Sequence, residues 1–153
     1  MEIQLTAQSK AQTFRVFSKK LLTLAAAGGA AFWIIDFAIS VSSIAAEYKA
    51  AFSISSLPIA LVEALIGGLV IALCVSFFLL RFFDRIPTNN PISKALILSF
   101  LAMLIIEILS TLVDPKNASI YLLVDTAMNM PRFLALGWVV GHSYDRLNRS
   151  TVK

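Results

Sequence analysis

The chain has 153 residues, of which 58% are hydrophobic and 14% charged, and its mean hydropathy is +0.81. A soluble domain is about 45–50% apolar and about 25% charged, so this composition leaves too little polar surface for a water-soluble fold and favours a membrane protein. The net charge of +4 comes from basic residues spread over several hydrophilic segments, a distribution that argues against a nucleic-acid-binding face.

The first 20 residues are mixed and basic. They are predicted to form a cytoplasmic segment, either a short amphipathic helix on the membrane surface or a disordered terminus. A helix needs about 20 apolar residues to cross the hydrocarbon. Four stretches meet this length, at about 21–46, 57–80, 95–113 and 119–141. The first is too long for a cleavable signal peptide. The sequence therefore predicts one all-α domain over 1–153, a four-helix transmembrane bundle that ends in a polar tail at 142–153.

The distribution of lysine and arginine predicts the orientation of this bundle. Four crossings place both termini on one side, together with the loop between the second and third helices. Ten basic residues flank the helices on that side: Lys10, Arg15, Lys19, Lys20, Arg81, Arg85, Lys94, Arg146, Arg149 and Lys153. Only Lys49 and Lys116 flank them on the other. Since cytoplasmic flanks carry the excess of Lys and Arg, both termini are predicted to be cytoplasmic, in the cytoplasmic (inner) membrane.

Each predicted helix contains one carboxylate well inside its apolar span, and the fourth adds an arginine. The residues are Asp36, Glu63, Glu107, Asp125 and Arg132. A charge at such depth costs at least about 2.5–3.5 kcal/mol on insertion scales, so these groups are expected to face the bundle interior, paired or hydrated. The helical rise places all of them in the outer half of the membrane. Alternatively, Glu63 and Asp125 lie close enough to the outer headgroups to be hydrated there.

The fourth predicted helix carries its polar residues on one face. Asp125, Asn129 and Arg132 stand at i, i+4 and i+7, which brings them to one side of a helix. Pro131 lacks an N–H and obstructs the bond to the carbonyl of Ala127, so a kink and a free acceptor are predicted beside them. Irregular backbone at membrane depth is tolerated where it lines a protein cavity, which predicts the wall of a polar pocket.

Four acids and one arginine cannot all be charged in a dry core. Some acids are protonated, or a cation or water is bound, or a partner subunit supplies positive charge. In a binding site, Asp36 and Glu107 are the predicted principal carboxylates, Arg132 their counter-charge and Asn129 a hydrogen-bonding lining residue. In a structural alternative, Arg132 pairs with Asp36 or Glu107 and only fixes the order of the helices.

Motifs for other chemistry are missing from the sequence. It has no GxSxG, HExxH or Walker pattern, so no enzyme is predicted. The only histidine, His142, excludes bis-histidine haem ligation within the chain, and neither a metal nor a cofactor is expected. Cys74 is predicted to be a small buried hydrophobe. The pairs Gly28-Gly29 and Gly67-Gly68 are predicted to allow close helix packing.

Three functional hypotheses follow. In the first, the interior site binds or translocates protons, a cation or a small solute. In the second, the protein is a non-catalytic accessory or assembly subunit, or an immunity or exclusion factor, of a larger membrane complex. The third is an enzyme that acts on lipid. Membrane lipids are the expected partners, together with further copies of the chain or a larger membrane complex.

Overall fold

The computed structural model describes residues 2–42, 56–113 and 118–149, and the regular structure in these ranges is entirely helical. The long helices are α1 (Glu2–Ser40), α2 (Leu57–Arg81), α3 (Pro91–Val113) and α4 (Ala118–Arg149). A short 3-10 helix, Phe83–Arg85, lies between α2 and α3. The predicted all-α class, with four long helices in these ranges, is therefore confirmed.

The helices extend beyond the predicted apolar stretches at their polar ends. α1 is continuous from Glu2, so of the two forms predicted for the N-terminal segment, residues 2–20 take the helical one, and they join the first apolar stretch without a break. α4 likewise continues through most of the predicted tail, to Arg149. Hydropathy detects only the part of a helix that suits hydrocarbon, whereas polar residues with good helix propensity prolong the same helix into water. α1 ends at Ser40, before the predicted end at 46, and residues 43–46 lie outside the described residues.

Within the part of the chain that the structure describes, three helical segments are long and apolar enough to cross a membrane. They are Gln12–Ser40, Leu57–Arg81 and Pro91–Leu112. α4 is not among them, because Asp125, Arg132 and the charged residues of its last turns lower its hydropathy. Length and composition thus support a membrane protein through α1, α2 and α3.

The helices form an antiparallel bundle in which α1 packs between α2 and α4, and α4 packs between α1 and α3. Two contacts show the direction of the chain. The Nζ atom of Lys20 donates to Oδ1 of Asn148 at 2.8 Å, which pairs the first half of α1 with the end of α4. The indole Nε1 of Trp33 donates to the carbonyl of Leu61 at 3.0 Å, which joins the second half of α1 to the start of α2. α2 and α3 contact each other much less than the other neighbouring pairs do.

Glycines permit the close contacts of α1. A Cβ on Gly28 would lie 2.5 Å from Cγ2 of Val140 on α4, and one on Gly68 would lie 2.7 Å from Cδ1 of Phe32. Small residues of this kind let membrane helices approach closely. Gly67 is different, since a Cβ there would meet nothing within 4 Å. The predicted packing role therefore applies to Gly68 and not to Gly67.

The exterior of the bundle is largely apolar, as a lipid-facing surface requires. Cys74 belongs to this exterior and is exposed, so its predicted burial is wrong. The interior is built mainly from apolar residues that are at most 6% exposed: Leu24, Phe32, Ala72, Val75, Leu79, Ala95, Met103, Phe133, Leu136 and Val140.

Candidate functional site

A buried ion pair joins α1 to α4. Nη2 of Arg132 lies 2.7 Å from Oδ1 of Asp36, and their side chains are 16% and 8% exposed. Asp36 stands two helical turns from Gly28, on the buried face of α1. The close approach that Gly28 permits brings this face within reach of the long arginine side chain. Of the two partners left open by the sequence, Asp36 is therefore the one that Arg132 contacts.

Asn129 connects this ion pair to a second carboxylate on α3. Its Oδ1 accepts a hydrogen bond from Nη1 of Arg132 at 2.6 Å, and its Nδ2 donates to Oε1 of Glu107 at 2.8 Å. Asn129 lies one turn before Arg132 on α4, so both side chains point to the same interior. Asp36, Arg132, Asn129 and Glu107 thus form one hydrogen-bonded chain across three helices, which we call the buried polar network.

The two carboxylates of this network have different partners. The guanidinium balances the charge of Asp36 at contact distance. Glu107 is only 3% exposed, and it accepts its hydrogen bond from the neutral amide of Asn129. Nε of Arg132 is buried without a hydrogen-bond partner among the described residues. The network therefore contains one cation, Arg132, and two buried acids, and of these acids the guanidinium contacts only Asp36.

The other two predicted acids occupy different positions. Asp125 is partly buried one turn outward of Asn129, within electrostatic range of both Arg132 and Glu107. Glu63 is exposed on the exterior of α2, so it does not take the interior position; the sequence also left open an exposed, hydrated one. α2 is apolar on nearly every side, and its hydropathy pattern therefore does not reveal which face turns inward.

A pocket of about 470 Å³ lies beside the network, between α1 and α4. Its lining includes Ile35, Ile39, Met128 and Pro131, which are sequence neighbours of the network residues or lie one turn from them. Ala127 also belongs to this wall, and Pro131 cannot donate a hydrogen bond to its carbonyl. α4 runs on as one helix through Pro131. The pocket lies toward the end of the bundle that is remote from the Lys20–Asn148 contact.

Toward the basic end, packed apolar side chains and two buried hydroxyls follow the network. Met103 and Ser99 stand one and two turns from Glu107 on the same face of α3, with exposures of 2% and 0%. The hydroxyl of Ser99, like that of Ser76 on α2, has no hydrogen-bond partner among the described residues. Helical spacing alone puts Ser99 on the same face as Glu107, but nothing in the sequence indicates that its hydroxyl lacks a partner.

Lys94 was predicted to be one of the cytoplasmic flanking charges, yet it is only 4% exposed. Its ammonium lies 3.7 Å from the ring centroid of Phe83 and donates to the carbonyl of that residue. The ring of Phe83 stacks in turn on Tyr144, with centroids 4.7 Å apart. Since these contacts depend on the path of the chain between α2 and α3, spacing in the sequence did not predict them.

Within the described ranges, no group of three or more His, Cys, Asp or Glu side chains is arranged to hold a metal ion. The chain matches no protein-family model, and no curated protein or solved structure is significantly similar to it. Fold and site together define a class: a helical protein with three helices suited to a membrane and a hydrogen-bonded charged network buried among its helices.

Proposed function

We propose that this protein crosses the cytoplasmic membrane four times, with both termini in the cytoplasm, and that it binds and passes protons at Glu107. The role is non-catalytic. The observation that carries the proposal is the unequal partnering of two buried acids: Asp36 has the guanidinium of Arg132, whereas Glu107 has the amide of Asn129. A buried carboxylate without a cation is costly, and it is relieved by taking up a proton or a cation.

The fourth crossing is supported by the direction in which the polar residues of α4 point. Asp125, Asn129 and Arg132 are at least partly buried, whereas every described residue that is exposed between Leu122 and Trp138 is apolar. These exposed residues cover about 24 Å of helix, close to the hydrocarbon thickness of about 30 Å. The low hydropathy of α4 thus comes from interior groups. The orientation follows from the excess of Lys and Arg at the end that holds Lys20 and Asn148.

A proton suits this site better than a metal cation does. Hard cations such as Ca²⁺ take about six to eight oxygen ligands, and even small ones need several. The buried polar network offers Glu107, with Asp125 nearby, while the oxygen of Asn129 already accepts from Arg132. A proton needs only one oxygen. Glu107 is therefore the proposed proton-binding residue, Asp125 an outer acid, and the Asp36–Arg132 pair the fixed charge that holds Asn129 in place.

The proposed route runs from the pocket beside Pro131 to Glu107 and then past Met103 toward Ser99. The pocket, which is lined by apolar residues and Ser42, is the proposed outer approach, and the buried hydroxyl of Ser99 is a group able to hold a water molecule on the inner side. The packed side chain of Met103 lies between Glu107 and Ser99 and closes the route in the described conformation. Passage therefore requires motion of this flexible side chain, which makes it the proposed gate.

Proton flux into liposomes tests the proposal. Purified protein is reconstituted with a trapped pH-sensitive dye, and a potassium diffusion potential drives the flux. Glu107→Gln keeps an acceptor for Asn129 but cannot titrate, so its flux should fall to that of empty liposomes. Glu63→Gln removes the same group from the exterior of α2 and should leave flux unchanged. Wild-type protein without proton flux, or normal proton flux in the Glu107→Gln variant, would overturn the proposal. Flux of another ion or of a solute in place of protons would also overturn it and would identify that species as the one transported.

One observation favours a second candidate, an accessory subunit or immunity factor of a larger membrane complex. Glu63 is the only charged residue between Leu57 and Leu80, and it is exposed on an otherwise apolar helix. A cationic group on a partner protein would stabilise an acid in that position. In this case Glu63→Gln should abolish co-purification of the partner in mild detergent, whereas Glu107→Gln should preserve it.

A further inference from the structure

The bundle has an open groove between α2 and α3. These helices follow each other in the chain but make little direct contact. The space between them is a pocket of about 340 Å³ whose lining residues include Val70, Cys74, Phe78, Leu98, Ala102 and Ile105. These side chains offer apolar surface to the groove and no charge, so the groove suits a hydrocarbon chain.

The groove continues along one face of α2 in both directions. Gly67 stands one turn outward of Val70 and Ile71, and nothing lies within 4 Å of the position its Cβ would take. Glu63 is one turn further outward on the same face and is exposed. The outer end of the groove is therefore marked by a negative charge, which disfavours an anionic headgroup there.

At the other end, a row of aromatic rings leads from the groove to two arginines. Phe78 lines the groove and stacks on Phe82, with centroids 5.8 Å apart and ring planes inclined by 23°. The guanidinium carbon of Arg85 lies 5.5 Å from the centroid of the Phe82 ring. Arg81, the last residue of α2, is also exposed at this end. Two guanidinium groups therefore stand at the inner mouth of an apolar groove.

The turn that carries Arg85 is held by contacts with α3 and α4. Phe83 stacks on Tyr144, and the ammonium of Lys94 bonds to the Phe83 carbonyl while it lies over the ring. The backbone N–H of Arg85 donates to the carbonyl of Phe82 at 3.0 Å. Because these contacts attach the turn to α3 and α4, the position of Arg85 relative to the groove is set before a ligand arrives.

We infer that this groove binds one anionic phospholipid from the cytoplasmic leaflet, with an acyl chain between α2 and α3 and the phosphate against Arg81 and Arg85. Charge complementarity selects the lipid: the two arginines favour a headgroup with net negative charge, and they disfavour the cationic amine of a zwitterionic headgroup. The inference depends on the proposed orientation in the membrane but not on proton passage. Lipid binding without proton flux would thus support it while removing only the proposed activity of Glu107.

Lipid retention measured by native mass spectrometry tests the inference. Delipidated full-length protein in detergent is titrated with phosphatidylglycerol, phosphatidylcholine or glycerol phosphate. One phosphatidylglycerol should bind in preference to phosphatidylcholine, and glycerol phosphate, which has no acyl chain, should not compete. Arg81→Gln with Arg85→Gln should weaken phosphatidylglycerol binding roughly thirty-fold, as expected for two arginines near an anionic headgroup. Ala102→Phe should fill the groove and abolish binding while both arginines remain.

The matched control is Arg146→Gln with Arg149→Gln, which removes the same charge at the same end of the bundle but away from the groove. This control should bind phosphatidylglycerol as the wild type does. Equal binding of both lipids, or an equal loss in the control pair, would overturn the inference. Efficient disulfide formation between the Cys74 residues of two copies would also overturn it, because a second chain would then occupy the groove.

Discussion

The contact between α1 and α4 and the contact between α2 and α3 show two outcomes for neighbouring helices in one bundle. Where α1 meets α4, Gly28 removes a side chain and Arg132 reaches Asp36. Where α2 meets α3, Gly67 faces open space, and apolar side chains line a groove. Lipid tails are as apolar as leucine, so apolar character alone does not bring membrane helices together. Small residues and polar contacts bring membrane helices together, and of these two contacts only the one between α1 and α4 has both.

The largest effect should come from removing one partner of the buried ion pair. Arg132→Met leaves Asp36 without its cation and should lower the free energy of unfolding by about 3–5 kcal/mol, as expected when one half of a buried pair is lost. Unfolding in mixed micelles, followed by circular dichroism, measures the change. Adding Asp36→Leu should restore part of it, because the double variant buries no unpaired charge. A double variant as unstable as the sum of both single variants would show that the two residues do not interact.

The second-largest effect should come from a matched pair of glycine substitutions, one in the contact between α1 and α4 and one beside the groove between α2 and α3. Gly28→Leu forces a side chain into Val140 and should cost about 1–3 kcal/mol of unfolding free energy, the usual range for overpacking. Gly67→Leu enters open space, and the better helix propensity of leucine should leave stability unchanged or slightly raised. The same unfolding assay compares them. Equal destabilisation by both substitutions would contradict the difference between the contacts.

A smaller effect is expected at the inner mouth of the groove. Lys94→Met keeps the length of the side chain but removes the bond to the Phe83 carbonyl and the cation–π contact. We expect a loss of about 1 kcal/mol of unfolding free energy, since removing a buried charge offsets part of the lost interactions. Phosphatidylglycerol binding should weaken as well, because the turn that holds Arg85 loses an anchor. A variant with reduced stability but unchanged lipid binding would show that the anchor does not position Arg85.

The smallest effect should come from an exposed ion pair that, like the buried one, joins an arginine to an aspartate. Nη2 of Arg149 lies 2.8 Å from Oδ2 of Asp145, about as close as the atoms of the buried pair, yet the arginine side chain is 79% exposed. Exposed pairs four residues apart on a helix contribute about 0.3–0.5 kcal/mol, so Arg149→Met should change unfolding free energy by no more than that. Added salt should remove the remaining difference from wild type. A loss comparable to that of Arg132→Met would show that burial does not set the strength of these pairs.

The sequence predicted the helices better than it predicted their inward faces. Four apolar stretches located four long helices, because spanning length is a strong physical constraint. The i, i+4, i+7 spacing on α4 brought Asn129 and Arg132 to one face, as the structure has them. The choice between Asp36 and Glu107 as partner of Arg132 depended on the order of the helices in the bundle, which spacing within single helices does not encode. α2 lacks a polar face, so spacing did not decide whether Glu63 lies inside or outside the bundle, and the burial predicted for Cys74 was wrong.

The hydrogen bond from Trp33 to the Leu61 carbonyl, together with the unequal contacts described above, divides the molecule into two hairpins. The bond keeps α2 with α1, and the stacked ring of Phe83 keeps the interhelical turn with α4. The two hairpins meet mainly along α1 and α4, where Arg132 contacts Asp36. α2 and α3 make much less contact with each other, so the cohesion of the two hairpins depends mainly on the contact that contains this charged centre.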